Sequence, residues 1–299
     1  METSLSKQNI APKVTLMRNR LVVCICLMLL QAVDLFAQSV VNNKITKIET
    51  LNRNNGIERG PAKPYLFQYG IANAFIEGLY EGHLSIDELK KHGDFGIGAP
   101  NLIDGELTIV DGIAYQSNAK GQTIEAPGQI KTPFAFVTTF KADTTLLLAN
   151  VQNIDELFTR IESLLPNRNG IYALRIGGLF SKMRTRAFPA MVQKPYRPLA
   201  KLLDQQQFFE LNGMDGAMIG FYMPGYLSGI NITGLHFHFL STDRTAGGHV
   251  VALTAQNLTI EITEVKSFLL ETSETADFQK FQFIGGNSSG LQKIEKGGN

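Results

Sequence analysis

The sequence contains little cysteine: among 299 residues there are two, Cys24 and Cys26. Both lie within an apolar run over residues 21–30, so residues 38–299 contain no thiol. Disulfide bridges, a catalytic cysteine and thiolate metal ligands are therefore excluded from that part of the chain. Any metal bound there must be held by His, Asp or Glu side chains.

A long hydrophobic run is also missing, since the apolar run near the N-terminus is too short to span a bilayer comfortably. Basic residues precede it and the small residue Ala37 follows it, an order typical of a secretory signal peptide. We predict cleavage after Ala37, which gives a signal peptide over 1–37 and a secreted or periplasmic protein without membrane contact. A membrane anchor through residues 21–37 is the alternative, and Met17 is a second candidate start.

The chain has no excess of charge of one sign, with 28 Lys and Arg residues against 27 Asp and Glu residues. It shows neither a basic stripe nor an aromatic run of the kind that binds RNA, which argues against nucleic acid as a partner. A GxGxxG turn and regular β-α-β spacing are absent from the sequence, which argues against a Rossmann domain. A small molecule or a second copy of the chain is the expected partner.

Strand patterns interrupted by a few helical patterns predict an α+β fold. We expect two packed mixed or antiparallel β-sheet layers or subdomains with a few helices. After the signal peptide, residues 38–63 are interpreted as a polar leader. Residues 64–299 then form one domain or two subdomains, 64–168 and 169–299.

Local signals predict individual elements within this domain. They are a helix over 70–82, a capping box at Ser85, a hairpin turn at Asp111-Gly112, a helix capped by Asn153 and a helix over 198–209.

Histidine is scarce as well, and its distribution is uneven. Of five histidines, His236, His238 and His249 fall close together. On a strand, His236 and His238 would project from one face, and the turn-like segment 241–248 can bring His249 back beside them on an antiparallel strand. Three neutral imidazoles leave coordination positions open, as in a catalytic metal site. Nitrogen ligation fits Zn²⁺ best, with Mn, Fe, Co, Ni and Cu as alternatives.

A series of short segments completes the pattern, and their joint occurrence in one order is specific where each alone would be weak. The segments are 92–98, 104–107, 111–112, 132–134, 172–176, 185–186, 194–196, 229–231, 236–239 and 247–250. From about Phe67 through Glu295 the chain resembles the bacterial alpha-acetolactate decarboxylase family. It departs from the family's usual pattern at His83 and at Gly177-Gly178, which are not proposed metal ligands.

The resemblance implies a metal-dependent decarboxylation of 2-acetolactate to acetoin and CO₂ through a metal-stabilised enediolate. His236, His238 and His249 then take the family's metal-ligand positions, with zinc as the expected ion. No organic cofactor is required. The resemblance also implies a homodimer.

Three further residues are assigned to catalysis by the resemblance. Glu106 would border the metal and hold a hydroxyl or water, and Arg186 would pair with a substrate carboxylate or oxyanion. Glu295 would fold back into the site as a second carboxylate. Without the family, Glu106 would be interpreted as a surface carboxylate, and Arg186 would be indistinguishable from other strand arginines.

Two other hypotheses remain at this point. The histidines alone also fit a cupin-like metal-dependent protein that binds a small molecule. A cupin would be expected to place a glutamate shortly after the HxH pair, where this chain has Asp243 and Arg244. An inactive homologue that keeps the fold is the third hypothesis.

Overall fold

The computed structural model describes residues 64–283. The predicted signal peptide, the polar leader and Glu295 lie outside the described residues. Within the described part, two β-sheets pack against each other, and buried apolar residues from both, such as Phe136 and Phe221, form a shared core. The predicted α+β fold with packed sheet layers is confirmed.

Strands are the main secondary structure of this part of the chain. In chain order they are β1 (Tyr65–Tyr69), β2 (Leu84–Ser85), β3 (Phe95–Ala99), β4 (Glu106–Val110), β5 (Ile113–Ser117), β6 (Thr123–Glu125), β7 (Lys131–Thr132), β8 (Phe134–Thr138), β9 (Thr144–Val151), β10 (Ile171–Ala187), β11 (Gln207–Met223), β12 (Gly234–Ser241), β13 (Gly247–Val265) and β14 (Ser267–Glu271).

The first sheet has seven strands among the described residues, in the order β14-β1-β8-β3-β4-β5-β6. Its pairings are antiparallel except for that between β14 and β1, which is parallel. The predicted turn at Asp111-Gly112 joins β4 to β5, with Val110 opposite Ile113. Both turn residues have positive φ, as a tight two-residue hairpin requires.

The second sheet closes on itself. Its order is β10-β11-β12-β13-β9, and β10 also pairs with β13. The strands β10, β11, β12 and β13 therefore form a closed antiparallel ring. β9 pairs with the later part of β13. β10 and β13 pair along nearly their full lengths.

Helices are few and short. They are α1 (Ala72–Ile76), α2 (Ile86–Lys90), α3 (Ile154–Leu164) and α4 (Ala276–Lys280). The predicted caps are present: the Ser85 hydroxyl accepts a hydrogen bond from Glu88 N, and the Asn153 side chain accepts one from Glu156 N. α1 is shorter than the predicted helix over 70–82, because the chain turns after Ile76 and buries Tyr80 completely.

The prediction of a helix over 198–209 is wrong. The chain forms two 3₁₀ turns, Leu199–Lys201 and Leu203–Gln205, and then enters β11 at Gln207. From Phe208 to Asn212, exposed and half-buried side chains alternate, which is the period of a strand with one solvated face. Pro195 precedes the segment, and Pro198 is its first residue.

Strand pairing crosses the predicted boundary between residues 168 and 169. β9 precedes the boundary but pairs in the second sheet, while β14 follows it but pairs in the first. The division into subdomains stays a prediction. None of the helices between residues 64 and 283 combines the length and apolar character needed to cross a bilayer.

Candidate active site

The three clustered histidines converge where β12 and β13 meet. His238 on β12 lies directly opposite His249 on β13, and His236 precedes His238 by two residues on the same strand face. The alternate residues Phe237 and Phe239 pack into a separate apolar core on the other face. The period-two pattern of the sequence therefore places all three imidazoles in one buried site.

The histidines lie close enough to share an ion. His236 Nε2 lies 3.0 Å from His249 Nδ1. Each histidine offers a ligand nitrogen, and these three atoms all lie within 4.8 Å of one another. All three side chains are buried, with His238 only 1% exposed.

Arg186 extends the row of site residues onto the next strand. It pairs in register with His249 across β10 and β13, so Arg186, His249 and His238 are neighbours on three adjacent strands. Gly248 allows this close approach, because its φ is +128° and an added Cβ would lie 2.9 Å from the Arg186 carbonyl oxygen. A larger residue there would push the two strands apart.

Glu106 reaches the same site from the other sheet. It is the first residue of β4, and its Oε1 accepts a hydrogen bond of 2.7 Å from Arg186 Nη1. Its Oε2 lies 3.3 Å from His238 Nε2. Arg186 is 4% exposed and Glu106 is 8% exposed, so this ion pair is buried and joins the two sheets.

Burial keeps the imidazoles of His236 and His238 neutral. Burial, together with the positive charge of Arg186, lowers the pKa of His236 to about 3. The pKa of His238 is also well below its ordinary value, chiefly through burial and then through His236. Neutral imidazoles are the form that binds a metal.

The protonation of His238 follows from its partner. Its Nδ1 lies 2.8 Å from the carbonyl oxygen of Leu107, an acceptor, so Nδ1 carries the proton and donates it. Nε2 then keeps a lone pair and faces the carboxylate oxygen of Glu106. Two acceptor atoms at such a distance repel each other unless a proton or a cation lies between them.

This donor set fits a divalent transition metal. Ligand atoms 2.0–2.1 Å from a tetrahedral zinc ion lie about 3.3–3.4 Å apart, so the observed spacing of the histidine nitrogens requires only small side-chain shifts. The backbone carbonyl that fixes His238 is the kind of outer partner that orients metal-bound histidines. The histidines would leave at least one coordination position for a substrate oxygen.

A small cavity opens beside these polar groups. Glu106, Arg186 and the three histidines form one side of it. The remaining wall is mostly apolar and includes Phe75, Ile76, Ile103, Phe134, Phe188 and Ile232. A polar face opposite an apolar wall suits a small, partly apolar anion.

Five of the six predicted site residues therefore lie together, and Glu295 falls outside the described residues. Sequence reasoning missed the apolar wall, whose members come from α1, β8 and loops far apart in the chain. It assigned no role to Gly229, Ile230 and Asn231, although this segment contributed to the family resemblance. His83 is exposed and His92 stacks on Phe67, so both lie outside the site.

Comparison with known proteins gives a consistent result. The family model described as alpha-acetolactate decarboxylase matches residues 66–284. An alpha-acetolactate decarboxylase of Methanosarcina mazei is 35% identical over 259 residues, which cover 83% of this chain and 89% of that protein. One from Brevibacillus brevis is 37% identical over 72% of this chain and 75% of its own length.

A solved structure shares the fold. The crystal structure of alpha-acetolactate decarboxylase from Bacillus subtilis strain 168 superposes with a TM-score of 0.74 at 31% sequence identity. The match covers 79% of this chain and 100% of that one.

Proposed function

The chain belongs to the alpha-acetolactate decarboxylase family, and we therefore propose that its buried histidine site carries out the decarboxylation of acetolactate. The protein is a carboxy-lyase that converts acetolactate to acetoin and CO₂. One observation carries the assignment to this site: three histidines, an arginine and a glutamate from both sheets converge on a single cavity.

His236, His238 and His249 would hold the divalent metal, and zinc is the ion that three imidazoles favour. When bound, the metal would supply Lewis acidity that polarises substrate oxygens and stabilises developing negative charge. The neutral state of His236 and His238 and the 2.8 Å hydrogen bond from His238 to Leu107 O support this proposal.

Arg186 orients the substrate carboxylate. Acetolactate carries a carboxylate, a tertiary hydroxyl and a ketone, and its carboxylate leaves as CO₂ when the bond to the carbon bearing the hydroxyl breaks. The electron pair of that bond passes to the ketone oxygen and generates an enediolate. The Arg186 guanidinium, buried beside the cavity, offers paired donors to the carboxylate and then to the new negative charge.

Glu106 is placed to relay a proton at the site. The enediolate must gain one proton on the carbon that lost CO₂ to become acetoin. The Oε2 atom of Glu106 lines the cavity side facing His238 Nε2 and can retain and transfer a proton, while Oε1 is held by Arg186. For Glu295 we propose the second carboxylate role that the family resemblance implies.

The test is turnover by the purified chain. Metal-free protein would be loaded with zinc and incubated with racemic 2-acetolactate, while acetoin and CO₂ are measured together. We expect zinc-dependent release of both products in equal amounts. His238→Ala should abolish it, because the substitution removes a metal ligand.

His83→Ala is the matched control, since it removes an imidazole that is exposed and outside the site. It should keep full activity. A protein that binds zinc but releases no acetoin would contradict the assignment and favour the cupin-like or inactive alternatives.

We also propose that residues 1–37 direct export and that the exported protein begins at Gln38 as a homodimer. The basic flank, short apolar run and Ala37 support the first part, and the family resemblance supports the second. N-terminal sequencing of exported protein should give Gln38, and sedimentation should give twice the chain mass. Material retained in membranes with residues 21–37 attached would support the anchor instead.

A further inference from the structure

Two fully buried amide side chains form a network behind the active-site cavity. Asn231 Nδ2 donates to Gln68 Oε1 at 2.6 Å, and Asn231 Oδ1 accepts from Ile232 N at 2.6 Å. Gln68 Nε2 donates to Gly70 O at 2.8 Å and to Ile230 O at 2.7 Å. Both side chains are 0% exposed, so the network joins β1 to the loop before β12 in the interior.

The same loop holds the start of α1. α1 lacks a side-chain N-cap. Its first backbone N–H groups instead donate to loop carbonyls: Ala72 N donates to Ile230 O at 2.9 Å, and Asn73 N donates to Gly229 O at 3.0 Å. Ile230 O therefore accepts from both α1 and Gln68. A shift of the loop would move α1 with it.

The elements held by this network form part of the apolar wall. Phe75 and Ile76 of α1 line the cavity, and so does Ile232, whose amide is bound by Asn231. Among residues 64–283, those that line the cavity include neither Gln68 nor Asn231. These amides therefore act on the cavity only through the residues that they hold.

We propose that Gln68 and Asn231 are positioning residues for the decarboxylation, and that their paired amides set the size of the alkyl groups that the cavity accepts. This inference rests on the proposed function of the cavity. The substrate carries two methyl groups, which must face the apolar wall when its oxygens face Arg186, Glu106 and the histidines. The position of Phe75, Ile76 and Ile232 then determines the space left for these groups.

A purely structural role would lower stability but leave substrate preference unchanged. Loss of either amide leaves buried polar partners without hydrogen bonds, which favours relaxation of the loop. Relaxation would enlarge the cavity on its apolar side, away from the metal ligands. Preference between substrates that differ by one methylene is therefore the informative measurement.

The experiment compares acetolactate with its homologue that carries ethyl in place of methyl on the hydroxyl-bearing carbon. Gln68→Met and Asn231→Leu remove the hydrogen bonds at similar side-chain size. We expect KM for acetolactate to rise about three- to tenfold with a smaller change in kcat. The kcat/KM ratio should shift toward the ethyl substrate by about three- to tenfold. The substrate ratio of the double variant should shift no further than that of either single variant, because each of these variants breaks the same hydrogen-bond network.

Thr138→Val is the matched control, since it removes a buried hydrogen bond from Thr138 Oγ1 to Tyr65 O on β8 and β1. It should leave the substrate ratio unchanged. If Asn231→Leu does not fold, Asn231→Ser gives the same test, because its hydroxyl stays near Ile232 N but is too short to reach Gln68.

Zinc content is measured for every variant. An unchanged substrate ratio in folded, zinc-loaded variants would overturn the inference, and so would loss of zinc, since the network would then serve the metal-binding strand. Absence of acetolactate turnover in the unsubstituted protein would instead refute the proposed function.

Discussion

At the scale of single residues, the site depends on a buried chain of contacts from Arg186 through Glu106 to His238. Arg186 Nη1 lies 2.7 Å from Glu106 Oε1, and Glu106 Oε2 lies 3.3 Å from His238 Nε2. Removing one member of a buried ion pair costs about 3–5 kcal/mol, because the remaining charge is uncompensated. The intact pair adds little net stability, because burying both charges costs about as much free energy as their attraction returns, so its main value lies in binding the substrate.

Replacement of Arg186 by lysine tests whether the paired guanidinium donors matter for catalysis. Arg186→Lys keeps the positive charge beside Glu106 but loses the planar pair of donors. We expect kcat/KM for acetolactate to fall about 10- to 100-fold in steady-state assays, with the fold retained. Arg184→Lys is the control on the same strand, because Arg184 is partly exposed and pairs with Glu210. An equal fall in both variants would remove Arg186 from catalysis.

At the scale of elements, the sequence correctly predicts features whose hydrogen bonds lie within a few residues of each other. The cap residues Ser85 and Asn153 and the turn Asp111-Gly112 act on backbone groups within a few residues, so the sequence alone predicts them. The prediction of a helix over 198–209 is wrong at its end for the opposite reason, because residues 207–209 pair with β10 as the start of β11.

The Asp111-Gly112 turn supports a stability prediction. Gly112 has φ +76° and an added Cβ would contact nothing within 4 Å, so the cost of Gly112→Ala is purely conformational. We expect the free energy of unfolding to fall by about 1 kcal/mol in urea titrations, with activity retained.

Gly225→Ala is the control for this turn, because its added Cβ also meets nothing but its φ is not positive. It should be neutral or slightly stabilising. Equal destabilisation by both substitutions would show that φ at Gly112 is not the cause.

At the scale of the whole molecule, the site exists because two sheets close over it. The convergence of His236, His238 and His249 could be predicted from strand periodicity and a short turn. Glu106 and Arg186 could be selected only by family resemblance, since their contact joins β4 to β10 across the core. The apolar wall and the Gln68–Asn231 network depend on packing between distant segments, which no local pattern records.

Enclosure of the histidines predicts a pH dependence of stability in the metal-free protein. Unfolded chain protonates these imidazoles below about pH 6.5, while the folded protein resists because the pKa of His236 is lowered to about 3 and that of His238 is also lowered. Stability is therefore full above about pH 6.5 and falls toward about pH 3. The expected slope in urea unfolding is about 1.4 kcal/mol per pH unit for each histidine.

The double variant His236→Gln/His238→Gln should lose most of this slope, whereas His83→Gln should keep it because His83 is exposed. The same slope in the double variant would show that other groups cause the pH dependence.

The most direct test of the three-histidine site is a titration of the metal-free protein with zinc while the initial rate of acetoin formation is followed. The rate should rise linearly and level off at about one zinc per chain, with no rise in His249→Ala. A full rate without metal, or an unchanged titration in His249→Ala, would contradict the assignment of the reaction to the three-histidine site.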